Sequence, residues 1–179
     1  MFKRKPKTIA NKTRIVLDFE DVVADVNREV LLRLDMPTDY VRKSENYLCT
    51  KKKLDEINEA QTFADFEPMG YTALPGTHSM IAAIEKESDV YIWSSIIADE
   101  MVDWIVTRTP LSSARLIICE HIKMVHADLF VTAKMVNAIK WGVANPKKLP
   151  YILNKPWNGR NFTRSKIPRI NSLVELLEC

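Results

Sequence analysis

Two segments of this chain contain no acidic residue. The first 14 residues hold Lys3, Arg4, Lys5, Lys7, Lys12 and Arg14, with no Asp or Glu among them. Residues 129–169 hold Lys134, Lys140, Lys147, Lys148, Lys155, Arg160, Arg164, Lys166 and Arg169, again without an acid. Residues 15–128 carry 21 acidic residues against 11 basic ones, a net of about −10 when all are ionised at neutral pH. The net charge of +3 therefore conceals two basic ends around an acidic middle. Such ends can neutralise phosphates and bind with an affinity that falls with salt. The bland alternative is a set of solvated faces that bind nothing.

Other absences narrow the class further. No apolar run approaches the roughly 18 residues of a membrane span, so no membrane contact is expected. No apolar stretch follows the basic start at residues 1–7, so a secretory leader is not expected. Cys49, Cys119 and Cys179 are odd in number and lack metal-ligand spacing. Free thiols in a reducing intracellular compartment are the expectation, in cytoplasm or organelle matrix. His78, His121 and His126 are too scattered to suggest a metal site. There is no internal repeat and no low-complexity tract. The 179 residues, 46% hydrophobic and 27% charged, suffice for one soluble α/β domain with an inserted subdomain.

Residues 1–13 read as a basic arm, and residues 14–179 as the folded domain. Apolar runs predict strands at residues 15–17, 90–93, 114–119, 128–131 and 150–153. Helical spacing predicts helices over residues 22–34, 79–86, 99–107, 135–141 and 173–177, with Thr77 as the N-cap of the second. Asp35-Met36-Pro37-Thr38-Asp39 breaks the first helix. Residues 36–73, with a helix near residues 51–64, read as a small inserted cap. Strands alternating with helices indicate a doubly wound parallel sheet with helices on both faces. Ligands of such sheets bind beyond the carboxyl ends of the strands.

One of those ends carries the strongest motif. Ile15-Val16-Leu17 delivers Asp18 into a loop, and Glu20 follows two residues later. An aspartate placed so can attack phosphorus and form an aspartyl-phosphate. The stretch resembles the first motif of the haloacid dehalogenase (HAD) superfamily, most closely its 5′(3′)-deoxyribonucleotidase branch. Further features follow in the family's order. Leu74-Pro75-Gly76 resembles the return from cap to core. Val90-Tyr91-Ile92-Trp93-Ser94-Ser95 resembles the second motif, whose hydroxyl, here Ser94, would hold the phosphoryl group. Lys123 stands where the nucleotidases place the lysine that neutralises phosphate and nucleophile. Asp128-Leu129-Phe130-Val131-Thr132-Ala133 resembles the fourth motif. The resemblance implies a HAD-like sheet with a helical cap after the first helix.

The same motifs depart from the family at their chemical centre. The family reads Asp-x-Asp-Gly-Val where this chain has Asp18-Phe19-Glu20-Asp21-Val22. Glu20 stands for the acid/base aspartate and is one methylene longer, and Asp21 stands for the glycine. The fourth-motif acid pair, which in the family serves Mg2+, falls on Thr132 and Ala133. Magnesium needs hard oxygen ligands, so no metal and no cofactor is expected. Asp128 precedes its strand and belongs at the wrong end of the sheet to substitute.

Three functions follow from this mixture. The first is a catalytically degenerate nucleotidase relative acting as a binding or structural component. It would contact nucleic acid, or a ribonucleoprotein assembly, through Lys3, Arg4, Lys5, Lys7, Lys147, Lys148, Arg160, Arg164, Lys166 and Arg169. The second is an active Mg2+-dependent deoxyribonucleotidase, with Asp18 as nucleophile, Glu20 as acid/base, and Ser94 and Lys123 on the phosphate. The third is a pseudoenzyme that binds a nucleotide or a protein. Trp141, Trp157 and Phe162 interleave with bases and are candidates to stack on nucleobases. Tyr40, Tyr47 and Phe63 of the cap are candidates to surround one. Trp93 is expected to pack in the core, and Cys119 to be a buried small hydrophobe.

Overall fold

A computed structural model describes residues 12–35, 55, 56, 59, 60, 68–155, 158 and 166–178. Six strands form one sheet: β1 Thr13–Asp18, β2 Ser88–Ser94, β3 Leu116–Ile118, β4 Leu129–Thr132, β5 Leu149–Leu153 and β6 Arg169–Ile170. Their order is β3-β2-β1-β4-β5-β6, and every pairing is parallel. Among the described residues the helices that flank it are α1 Val26–Arg33, α2 Thr77–Ile84, α3 Glu100–Arg108 and α4 Met135–Ala144. The doubly wound α/β expectation is met. Most of the cap expected over residues 36–73 lies outside the described residues, as do Tyr40, Tyr47, Phe63, Trp157 and Phe162.

Both faces of the sheet are dry, which is why the strands read as unbroken apolar runs. Ile15, Leu17, Val90, Ile92 and Val131 face one layer with Ile81, Ile84, Met101, Trp104 and Ile105 from the helices. Val16, Trp93 and Phe130 face the other layer with Ile122, Val125 and Trp141. Trp141 stacks on Phe130 at 5.5 Å between ring centroids. Its indole N–H donates to the Val125 carbonyl at 2.8 Å. Trp141 is thus a core residue with no face left for a nucleobase. Trp93 packs against Phe130, as expected.

Element boundaries moved where backbone pairing overrides side-chain period. Helix α1 starts at Val26 rather than residue 22, because residues 19–25 form a tight flap. In it the Asp21 N–H donates to the Ala24 carbonyl, and the Asp25 N–H to the Thr72 carbonyl. Asp25 caps α1 by accepting from the Arg28 N–H at 3.0 Å. Gly76 at φ 76° caps α2, so Thr77 is its first residue and not its cap. Residues 113–115 wind into a 3-10 turn, which shortens β3. The final helix, Leu173–Glu178, is also 3-10. The two-residue β6 was missed, being too short to show a period.

The strand order places the crossover between β1 and β4. The chain runs outward through β2 and β3, then returns to the other side of β1. That reversal is where doubly wound sheets open a crevice at their carboxyl ends. Leu17 lies opposite Val131, so Asp18 and Thr132 leave the sheet side by side.

Candidate functional site

Asp18 ends β1 and is buried. The next residue fixes the loop. Phe19 donates its N–H to the Trp93 carbonyl at 2.8 Å. Its ring packs edge-on against Trp104 at 4.8 Å and Tyr71 at 5.7 Å. Phe19 turns into the core, with Asp18 at the tip of β1 before it and Glu20 in the loop after it. Asp21 adopts φ 61°, the left-handed conformation that favours glycine. Aspartate tolerates it better than most residues, and its carboxylate accepts from the Asn27 N–H at 3.3 Å.

Three donors converge on the Asp18 carboxylate. The Glu20 N–H reaches Oδ1 at 3.3 Å. The Thr132 hydroxyl donates to Oδ2 at 2.6 Å. The Asn137 side-chain amide donates to the same Oδ2 at 3.0 Å. Thr132 Oγ1 also accepts the Lys134 backbone N–H at 3.0 Å, so the hydroxyl accepts from its own loop while it donates to the Asp18 carboxylate. Lys134 Nζ makes an ion pair with Glu20 Oε2. The loops that follow β1 and β4 are therefore joined by side-chain bonds, in addition to the backbone pairing of the two strands.

The electrostatics follow from burial. Desolvation pushes the Asp18 carboxyl up to about 7, and the Glu20 charge adds to the rise. Lys134, Thr132 and Asn137 pull it back. Burial works against the Lys134 ammonium, but Glu20, Asp18 and Asp21 outweigh it and hold its pKa above the usual lysine range. Lys134 is thus a fixed cation. Asp18 near neutrality is partly protonated and hydrogen-bonded on both oxygens, which weakens it as a nucleophile.

The other expected site residues are spread around this centre. Ser94 ends β2 beside Asp18's strand, is buried, and accepts from the Ile96 N–H at 3.0 Å. Lys123 lies exposed on the 3-10 turn Ile122–Met124. It lines a surface depression with Glu120, His121, Met124 and Lys140. The ammonium that acts on Asp18 belongs to Lys134. Ala133 is buried, and its carbonyl accepts from the Asn158 amide at 2.9 Å. That amide also donates to the Leu153 carbonyl at 2.8 Å, tying the β4 loop to the end of β5. Arg169 is committed to this turn: Nη1 donates to Asn154 Oδ1 at 2.6 Å and Nη2 to the Asn158 carbonyl at 2.7 Å. It is an internal brace, not a side chain reaching out to phosphate.

Lys147 and Lys148 are exposed at the opposite, amino end of the sheet, near Thr13 and Asp128. Asp128 accepts there from the Arg14 N–H at 2.9 Å and pairs with Lys148. It stands far down its strand from Asp18, as the sequence implied. Lys166 is exposed. Lys3, Arg4, Lys5, Lys7, Arg160 and Arg164 lie outside the described residues. Cys119 is a free thiol and only half-buried, with Sγ accepting from the Trp93 indole N–H at 3.3 Å. Asn137 and Asn158 were not singled out from sequence. Asn137 carried one signal: it lies in the first turn of the helix that follows the fourth-motif strand.

No protein-family model and no curated protein matches this chain. Solved structures do. A dehalogenase of known structure is similar over 95% of this chain and 97% of its own, with a TM-score of 0.57 and 16% identity. A protein from Bacteroides fragilis assigned as a haloacid dehalogenase-like hydrolase covers 93% of this chain and all of its own, at TM-score 0.55 and 15% identity. One from Lactobacillus plantarum assigned as a phosphoglycolate phosphatase covers 94% and 99%, at 0.53 and 13%. The fold is HAD-like. At these identities the likeness speaks for architecture alone, and function has to be argued from the site.

Mg2+, which the family resemblance implies, does not suit the residues present. Thr132 and Ala133 supply no carboxylate. Oδ2 of Asp18 already accepts from two donors. Among the described residues no three His, Cys, Asp or Glu side chains converge to hold a metal ion. Among the described residues, too, no helix is long and apolar enough to cross a membrane.

Proposed function

We propose that this protein is a HAD-like pseudoenzyme, a degenerate relative of the deoxyribonucleotidases that serves as a binding or structural component of a nucleic-acid-containing assembly. The observation that supports the loss of catalysis is the closed state of the centre. Asp18 accepts three hydrogen bonds, and Glu20 is bound to Lys134. Two donors occupy Asp18 Oδ2 and one N–H reaches Oδ1, which lowers the nucleophilicity of the carboxylate, and an acid/base must reach the leaving oxygen. Here both carboxylates are turned to partners within the chain.

The charge distribution supports the nucleic-acid half of the reading. The basic arm leads into Thr13 at the amino end of β1, next to Lys147 and Lys148. Thr13, where the arm joins the fold, therefore lies at the same end of the sheet as Lys147 and Lys148. Asn154, Asn158 and Arg169 sit away from Thr13, so only part of the second basic segment lies near the start of β1.

The test is a phosphatase assay with deoxynucleoside monophosphates and an aryl phosphate in Mg2+. No turnover above that of Asp18→Asn is expected. Turnover near 1 s⁻¹, within the ordinary enzyme range, that is lost in Asp18→Asn would install the active nucleotidase in its place. Inactivity combined with no binding to single- or double-stranded nucleic acid at low salt would leave the nucleotide- or protein-binding pseudoenzyme.

A further inference from the structure

The loop after β1 brings three carboxylates, Asp18, Glu20 and Asp21, to the carboxyl edge of the sheet. All three act on one cation, Lys134, which comes from the loop after β4. That loop is where an acid pair would stand if the centre were built around a metal. This chain has Thr132 and Ala133 there, and the lysine directly after them.

The replacement is concerted rather than a simple deletion. Thr132 Oγ1 accepts the Lys134 N–H and donates to Asp18 Oδ2. Asn137, one helical turn further on, adds a second donor to that oxygen. The Lys134 side chain then folds back onto Glu20. A divalent ion needs oxygen lone pairs facing it, whereas every group that this loop offers Asp18 presents a proton. A lysine ammonium carries a single positive charge and three donors and has no acceptor. It balances carboxylates without asking for ligands on its far side.

We propose that the Lys134 ammonium is the resident cation of this centre: it neutralises the acidic loop in place of a divalent ion, and with Thr132 and Asn137 it excludes one. The centre then works as an ionic staple between the β1 and β4 loops that needs no metal. This deepens the pseudoenzyme reading yet can fail apart from it. A metal-independent phosphatase would overturn that reading and leave this one standing.

The experiment is Mn2+ titration, followed by water-proton relaxation, of the wild type, Thr132→Asp, and Thr132→Asp combined with Lys134→Ala. Wild type and Thr132→Asp are expected to show no site tighter than about 1 mM. The double variant is expected to bind at least about ten-fold more tightly than Thr132→Asp, because a second carboxylate is restored and the competing charge is gone. Equal binding by the single and double variants would overturn the proposal. So would an Mn2+ site in the wild type that disappears in Asp18→Asn. Lys134→Gln replaces Lys134→Ala in the pair if the latter does not fold. Thermal melts of the wild type give an independent reading. The same melting temperature in EDTA and in Mg2+ is expected, and a rise in Mg2+ that Asp18→Asn abolishes would sink the idea.

Discussion

The two ends of the parallel sheet both carry charged pairs and use them differently. At the carboxyl end the charges are inside. Asp18 is buried, and the side chains of the Glu20–Lys134 pair are only 13% and 26% exposed. At the amino end they stand in water. The side chains of Asp128 and Lys148 are 44% and 43% exposed, Lys147 is exposed, and Lys12 reaches only a backbone carbonyl at Glu85. A charge pair out of water is costly to break, because its survivor stays buried and unpaired. A pair in water is worth little, because solvent and salt replace the partner. One end therefore spends its charge on holding the fold, and the other leaves it available to a polyanion.

The sharpest way to break this comparison is to remove one lysine from each end. Lys134→Met should destabilise the protein by about 3–4 kcal/mol, since it strands Glu20 and Asp18. Lys148→Met should cost less than about 1 kcal/mol. Urea unfolding of both variants checks this, and equal losses would mean that the carboxyl end is no more closed than the amino end.

A second effect, on the order of 3 kcal/mol, is tied to pH. Asp18 has a folded-state pKa of about 7 against an ordinary 3.8. The folded protein thus binds a proton that the unfolded chain releases, and stability falls as pH rises between those values. Above pH 7 the full penalty of burying the charge persists. Asp18→Asn removes this dependence, so its stability relative to wild type should improve from pH 4 to pH 7 by that amount. A constant difference across the window would show that Asp18 is ionised throughout.

The smallest effect belongs to the amino end. Changing Lys147 and Lys148 to Ala should leave stability within about 1 kcal/mol. It should flatten the salt dependence of nucleic-acid binding by roughly 1.4–1.8 log units per log unit of salt, one step per lost phosphate contact. The loss should be the same for all sequences, because phosphate contacts carry no base information. Filter binding at several salt concentrations measures it. An unchanged slope would remove this edge from the proposed interface.

Much of the fold could be read from the residues in order. Apolar runs gave the five longer strands, because strands buried on both faces have no polar alternation to hide them. The tip of the first strand gave Asp18. The absence of a carboxylate at Thr132 and Ala133 was equally visible. The start of α1 was not, since Val22, Val23 and Val26 have helical spacing but the backbone at residues 19–25 bonds to Thr72 and within itself. Trp141 looked like a stacking platform because Lys140 precedes it, yet helix geometry turns Trp141 inward and leaves Lys140 outside. Arg169 counted as a free base until Asn154 and Asn158 claimed it.

What sequence alone determined, then, was the parallel α/β sheet, the acid at its central strand, and the missing acids opposite. Those are local properties: side-chain period, chain order and residue type. What only the tertiary structure decided was which lysine answers Asp18. Position along the chain pointed to Lys123, by resemblance, and gave no reason to choose Lys134. The β1–β4 pairing gives one: it sets Asp18 beside Thr132 and brings the Lys134 ammonium onto Glu20, while Lys123 stays on an exposed turn. A lysine's effect depends on distance and on the water around it, and both are fixed only when strands 114 residues apart in the chain lie side by side.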